Sequence, residues 1–139
     1  MSVLNAYLTF NGNCAEAMNF YKGIMGGELH IMSVKDSPMK DQMPEEFHNQ
    51  VMHAMLQNGD LRLMSSDVMN GAPVVTGSNV SLTLSSTDVD EAEKYFNGLA
   101  DGGKVTMPLG ETFWAKRFGM LTDKYGFNWM INVDKPMQK

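Results

Sequence analysis

The chain carries two copies of one pattern. The segment from Tyr7, YLTFNGNCAEAMNFYKGIMGG, lies over the segment from Ser81, SLTLSSTDVDEAEKYFNGLADGG, if one residue is added to the second loop. Thr9 then meets Thr83, Glu16-Ala17 meets Glu91-Ala92, Phe20-Tyr21 meets Tyr95-Phe96, and Gly23 and Gly27 meet Gly98 and Gly102. An offset of 74 to 75 residues is too long for a solenoid repeat. In a chain of 139 residues it implies a duplicated half-domain.

Each copy opens on an alternation that predicts a strand buried on one side. In the first, Leu4, Leu8 and Phe10 form one face and Asn5, Tyr7 and Thr9 the other; in the second, Val80, Leu82 and Leu84 oppose Ser81, Thr83 and Ser85. Asn13 precedes AEAMNFYKGIM and Asp88 precedes DEAEKYFNGLA. Both are preferred N-cap residues, and acidic residues follow in the first turn, where the helix dipole favours them. Gly26-Gly27 and Gly102-Gly103 end the helices and can supply a left-handed cap. Three short strands follow in each copy. In the first they fall at about 28–34, 51–57 and 61–66, with Asn58-Gly59-Asp60 as a hairpin turn. In the second they fall at about 104–107, 117–122 and 127–133, turning at Asp123 to Gly126. The expected class is α+β, two tandem βαβββ modules in one domain: module one at about 3–67, a linker at 68–78, module two at about 79–133. The stretch from Lys35 to Gln50, with Pro38, Pro44 and four acidic residues, reads as a polar excursion, either a surface loop or a lid.

Composition excludes several function classes. Eleven Lys and Arg against sixteen Asp and Glu leave a net charge of -5, so no basic stripe is available for phosphates and nucleic acid is not expected as a partner. No apolar run approaches the roughly 18 residues of a membrane span and no secretory pattern opens the chain, so a cytoplasmic location is expected. Cys14 is the only cysteine, which rules out an intramolecular disulfide and a thiolate cluster. Fourteen methionines suit either a loosely specified core or an adaptable apolar cavity. There is no Rossmann or Walker signature.

The runs NAYLTFNGNCAEAMNFYKGIMGGEL, VMHAMLQNGDLRLMSSD and GGKVTMPLGETFWAKRFGMLTDKYGFNWMIN, set in two βαβββ units, resemble the PhnB-like branch of the vicinal oxygen chelate superfamily. That superfamily includes glyoxalase I, extradiol dioxygenases, fosfomycin-resistance enzymes and bleomycin-resistance proteins. The resemblance spans about Val3 to Val133. It implies curved sheets around an open cleft and, in the mechanistic enzymes, a divalent metal held by residues of the first and last strand of each unit. Those positions fall on Asn5 and Ser81, and on Met64 (or Leu63 if the register slips by one) and Met130. None is His, Asp or Glu, the donors a hard ion requires, and a thioether at best suits Cu(I). No metal and no cofactor are therefore expected. Members of this branch also bear the label of demethylubiquinone methyltransferase, but no glycine loop for an adenosyl cofactor is present.

The implied cleft-facing set is Asn5, Tyr7, Arg62, Met64, Ser81, Thr83, Asn128 and Met130, a mixture suited to a small-molecule pocket or to a cleft closed by its own side chains. Tyr7 and Arg62 could orient an oxyanion. In GETFWAKRF, Phe113 and Trp114 with Lys116 and Arg117 could wall one end for a planar ligand, or build a dimer interface. His53 is a structural residue or the one candidate general base, imidazole being the side chain that ordinarily titrates near neutrality. His30 and His48 show no partners in the sequence, and Cys14 reads as structural. Trp129, Ile131 and Val133 should pack under a helix. The expectation is a homodimer binding or sequestering a small organic molecule without a metal. The alternatives are a metal-dependent glyoxalase- or dioxygenase-type enzyme and a non-catalytic interaction module.

Overall fold

Alternation becomes strand wherever a helix covers one side, in a computed structural model that describes residues 2–68 and 73–136. The chain divides into two compact units, Met1–Val75 and Thr76–Lys139. Of the expected linker, residues 69–72 lie outside the described residues.

Unit one runs β1 (Ala6–Phe10), α1 (Cys14–Met25), β2 (Glu28–Ser33), β3 (Val51–Asn58) and β4 (Leu61–Asp67). The sheet order is β1-β4-β3-β2, with β1 parallel to β4 and the other pairs antiparallel. Unit two repeats this with β5 (Leu82–Ser86), α2 (Val89–Ala100), β6 (Lys104–Gly110), β7 (Ala115–Thr122) and β8 (Asn128–Asp134), in the order β5-β8-β7-β6. The class is α+β, two four-stranded mixed sheets each with one helix. Among the described residues no helix is long and apolar enough to cross a membrane.

Each core lies between helix and sheet. Helix α1 buries Cys14, Ala17, Met18, Tyr21, Ile24 and Met25, a one-sided stripe, against Leu8, Phe10, Ala54, Leu56 and Leu63. Helix α2 buries Ala92, Phe96 and Leu99, and the strand residues expected beneath a helix, Trp129, Ile131 and Val133, are buried. Each large apolar side chain so covered contributes about 1.5–3 kcal/mol. Leu4, placed by alternation on the packed face, is 99% exposed and precedes β1, and Val80 likewise precedes β5 and is exposed. Alternation continued past the strand ends, but the partner strand did not.

The registers also correct the repeat. Ala6 lies beside Leu63 and Leu82 beside Trp129, so the first strands correspond at 76 residues apart, whereas the helices start 75 apart, at Cys14 and Val89. The second loop is thus one residue shorter, not longer, and Tyr7 rather than Thr9 matches Thr83. The glycines agree. A Cβ on Gly27 would sit 2.3 Å from the carbonyl oxygen of Gln57, and one on Gly103 would sit 2.3 Å from that of Thr122. Gly27 therefore matches Gly103. Short threonine- and serine-rich strands offer little for superposition, and partner strands set their register instead.

Capping differs between the units. Asp88 accepts from the Asp90 backbone N–H at 2.9 Å, as its position predicts. Asn13 makes no side-chain cap bond. Its place is taken from across the unit by Asp67, whose Oδ1 accepts from the Gly12 and Cys14 N–H groups at 3.0 Å each, and whose Oδ2 accepts from Val51 at 2.9 Å. One buried carboxylate thus ties the start of α1 and the start of β3 to the end of β4. Asp123 serves unit two more locally, accepting from the backbone of Tyr125 and Phe127 and from the Trp129 indole N–H at 2.8 Å.

The excursion between β2 and β3 is built of three single 3₁₀ turns, Val34–Asp36, Lys40–Gln42 and Glu45–Phe47. Val34 is fully buried and bonds Gln50, Lys35 bonds His48, and the His48 Nε2 lies 2.9 and 3.1 Å from the Lys40 and Met43 carbonyls. His48, partnerless in the sequence, thus has two partners. A polar stretch with two prolines forms ordered turns because its backbone groups find each other.

Candidate functional site

In each unit the helix covers one side of the sheet and leaves the other open. On the open side of unit one the registers align Tyr7, Met64, Met55 and His30 in a single row across all four strands. The next row holds Thr9, Ser66 and, on β3 and β2, His53 paired with Met32. Tyr7 is 50% exposed, and Met55, Met64 and His53 are half-buried. The Tyr7 and His53 ring centroids are 6.2 Å apart, so His53 and Tyr7 share this face. Val51, grouped with His53 by alternation, is buried instead. The ladder shifts between Met32 and Ser33, which pair with His53 and Val51, leaving Met52 as an extra residue that breaks the period. Arg62 stands at the strand's outer end opposite Gln57, exposed and without an ion-pair partner among the described residues. His30 lies 3.7 Å from the Glu28 carboxylate.

On the open side of unit two the corresponding row is Thr83, Met130, Met120 and Met107. Beside it stand aromatics. Phe118, two residues from Met120 on β7, meets Trp114 at 5.3 Å, and Trp114 meets Phe113 at 4.8 Å, both edge-on. A turn closed by mutual bonds between Thr112 and Ala115 presents Phe113 and Trp114, 89% and 45% exposed. Arg117 lies on the other side of β7 from Phe118 and Met120, paired with Val133 beyond a bulge at Lys116, and its guanidinium bonds the Lys116 carbonyl at 2.7 Å. Asn128 is committed elsewhere. It accepts from the Thr122 hydroxyl and donates to the Gly77 and Val80 carbonyls, pinning the approach to β5.

Cys14 is fully buried, 3.2 Å from the Ser65 hydroxyl. Burial pushes its thiol up to about 11, the Ser65 bond lowering it and the Asp67 charge raising it further. That is the reverse of an activated nucleophile.

Residues 3–132 match the model of a family described as 3-demethylubiquinone-9 3-methyltransferase. The chain belongs to this family. It is a PhnB-like member of the vicinal oxygen chelate superfamily. Protein YjdN of Escherichia coli is 35% identical over 95% of both chains. The crystal structure of protein PA1353 from Pseudomonas aeruginosa superposes with a TM-score of 0.86 at 42% identity, covering 98% of this chain and all of that one. A PhnB protein from Bacillus cereus, which carries the family's methyltransferase name only provisionally, gives a TM-score of 0.74 at 27% identity, over 95% of this chain and 99% of that one. The fosfomycin resistance protein FosX of Listeria monocytogenes shares the fold alone, with a TM-score of 0.65 at 12% identity.

The superfamily resemblance implies a metal, and the donor set of this PhnB-like chain does not fit a hard divalent ion. Asn5 and Ser81 are exposed and each precedes its strand by one residue, while Met64 and Met130 offer thioethers. Among the described residues no three His, Cys, Asp or Glu side chains gather to hold a metal ion. In the rows themselves the first-strand neighbours of Met64 and Met130 are Tyr7 and Thr83. Met55, Met107, Met120 and Phe118 escaped the expected cleft-facing set. Their strands alternate visibly, but which strand pairs with which is not written in the period.

Proposed function

We propose that this PhnB-like protein binds a small organic molecule against the open faces of its sheets, acts without a hard divalent metal, and works as a cytoplasmic homodimer. The reading is carried by one observation: both units keep a half-exposed methionine pair at the centre of the uncovered face, Met55 with Met64 and Met120 with Met130. Flexible, polarizable thioethers, flanked by Tyr7 on the first sheet and by Thr83 and the Trp114 aromatic wall on the second, give each face an apolar surface with orienting groups beside it, the usual composition of a ligand site. Methyl transfer, which the family description names, draws no support from these residues.

A thermal-shift screen of small organic molecules tests it. Hits should quench Trp114 fluorescence, and Trp114→Ala should weaken them at least about tenfold, the order expected when an aromatic contact is lost; wild-type affinity in that variant removes the aromatic wall. Stoichiometric Ni, Zn, Mn or Fe in protein purified without chelator would overturn the metal reading. Elution at 15.5 kDa at all concentrations would overturn the dimer.

A further inference from the structure

On the first sheet the methionine pair does not stand alone. Met55 and Met64 are cross-strand partners, and directly opposed side chains on one face lie about 4.5–5.5 Å apart at Cβ. His53 precedes Met55 by two residues and projects from the same side, with Met32 as its own partner on β2. All four keep access to solvent, Met32 at 38% and the others half-buried. Neither ring nitrogen of His53 makes a hydrogen bond among the described residues, and its ring lies 6.2 Å from that of Tyr7.

Three soft or borderline donors from adjacent strands, on side chains long enough to converge, refuse a hard divalent ion and favour a soft one. Thioether sulfur selects Cu(I), and imidazole suits copper as well. We propose that Met55, Met64 and His53, with Met32 at the rim, form a Cu(I) site on the open face of the first sheet. The second sheet supplies the internal comparison. Its Met120 and Met130 repeat the thioether pair, but Phe118 occupies the position of His53 and Trp114 packs on that ring. The same pair without an imidazole makes an apolar surface. The proposal stands apart from the small-molecule reading, because it needs only the first sheet and is read with a different probe.

The test is anaerobic titration of the full chain with Cu(I) against a chromogenic Cu(I) chelator. The redox-inert mimic Ag(I) is followed in parallel on the methionine ε-methyl NMR signals. One Cu(I) per chain should be withdrawn from the chelator. The Met55→Leu/Met64→Leu double variant and His53→Ala should each weaken binding at least tenfold, and Met120→Leu/Met130→Leu should bind as wild type. Leucine keeps the methionine volume, so the fold is retained, and the Ag(I) shifts need no variant at all: Met55 and Met64 should move, and Met120 and Met130 should not. Failure to compete with the chelator, unchanged affinity in the Met55/Met64 variant, or equal losses and equal shifts on both sheets would overturn the site.

Discussion

Replacing Asp67 by Asn should cost this protein more stability than any exposed-face change. The carboxylate is buried, at 3% exposure, and accepts three backbone N–H groups, from Gly12, Cys14 and Val51. Hydrogen bonds to a charged group contribute about 1.5–3 kcal/mol each and neutral ones roughly half. In Asp67→Asn the remaining oxygen can still serve Gly12 and Cys14 as a neutral acceptor, while the new amide N–H₂ faces the Val51 N–H with nothing to accept. One charged bond is lost and two are weakened, partly offset by the smaller desolvation cost of the amide. The net destabilisation is about 2–4 kcal/mol, or roughly 10 °C in Tm for a chain of this size. Urea unfolding followed by far-ultraviolet circular dichroism should show a lower midpoint at unchanged slope. Asn13→Ala is the control. A capping Asn would cost about 1 kcal/mol, but Asn13 makes no cap bond, so that variant should stay within about 0.5 kcal/mol of wild type. An Asp67→Asn midpoint equal to wild type, or a larger loss in Asn13→Ala, would refute the assignment of Asp67 as the cap.

Gly27→Ala should unfold or severely destabilise unit one, because its φ of +90° is strained for any other residue and the added Cβ would meet the Gln57 carbonyl at 2.3 Å. Gly23→Ala, on a helical turn with nothing within 4 Å, should instead stabilise by about 0.5–1 kcal/mol; thermal melts of the two variants check both signs. Cys14 should react with a disulfide reagent only on unfolding, and labelling of the native protein as fast as in urea would contradict its burial. Its thiol rises from an ordinary value near 9 to about 11 in the fold, so above pH 9 the unfolded chain releases a proton the native one keeps. The thiol's contribution is full below about pH 9 and is lost as pH climbs toward 11. The stability gap between wild type and Cys14→Ala should therefore shrink over that window, and a constant gap would contradict the shift.

How far the sequence reached depends on what each residue answers to. Helices and strands answer to local period and composition, and β3, β4, β7 and β8 fall within about two residues of their expected bounds. The family resemblance was legible because whole runs match in order. Asp67 as a cap was not, because its three partners lie 16 to 55 residues away, and a local rule points to Asn13. The place of His53 was half legible: its neighbours on β3 were readable, but the bulge that buries Val51 and leaves His53 open arises from pairing with β2. Arg117 stood beside the aromatic pair in the sequence, yet it directly precedes Phe118 on β7, and alternation sets the two on opposite sides of the sheet.

Duplication separates what the backbone needs from what the surface can choose. On the buried side the positions at the centre of the sheet keep the same character, with Leu56 and Leu121, and Leu63 and Trp129, all apolar and buried, because a helix must be covered in both units, while Ser65 and Asp67, where the second unit has Ile131 and Val133, are the buried positions given to hydrogen bonding. On the open side the central methionines recur, but His53 corresponds to Phe118, His30 to Met107 and Tyr7 to Thr83. Side chains there bury little apolar area on their own sheet, so stability constrains them weakly and chemistry can diverge at the same backbone positions. One frame thus carries an imidazole-and-thioether face in one unit and an aromatic-and-thioether face in the other. A single ligand-binding role assigned to the fold as a whole would overlook that difference, and tests that address each sheet by itself are the ones that can resolve it.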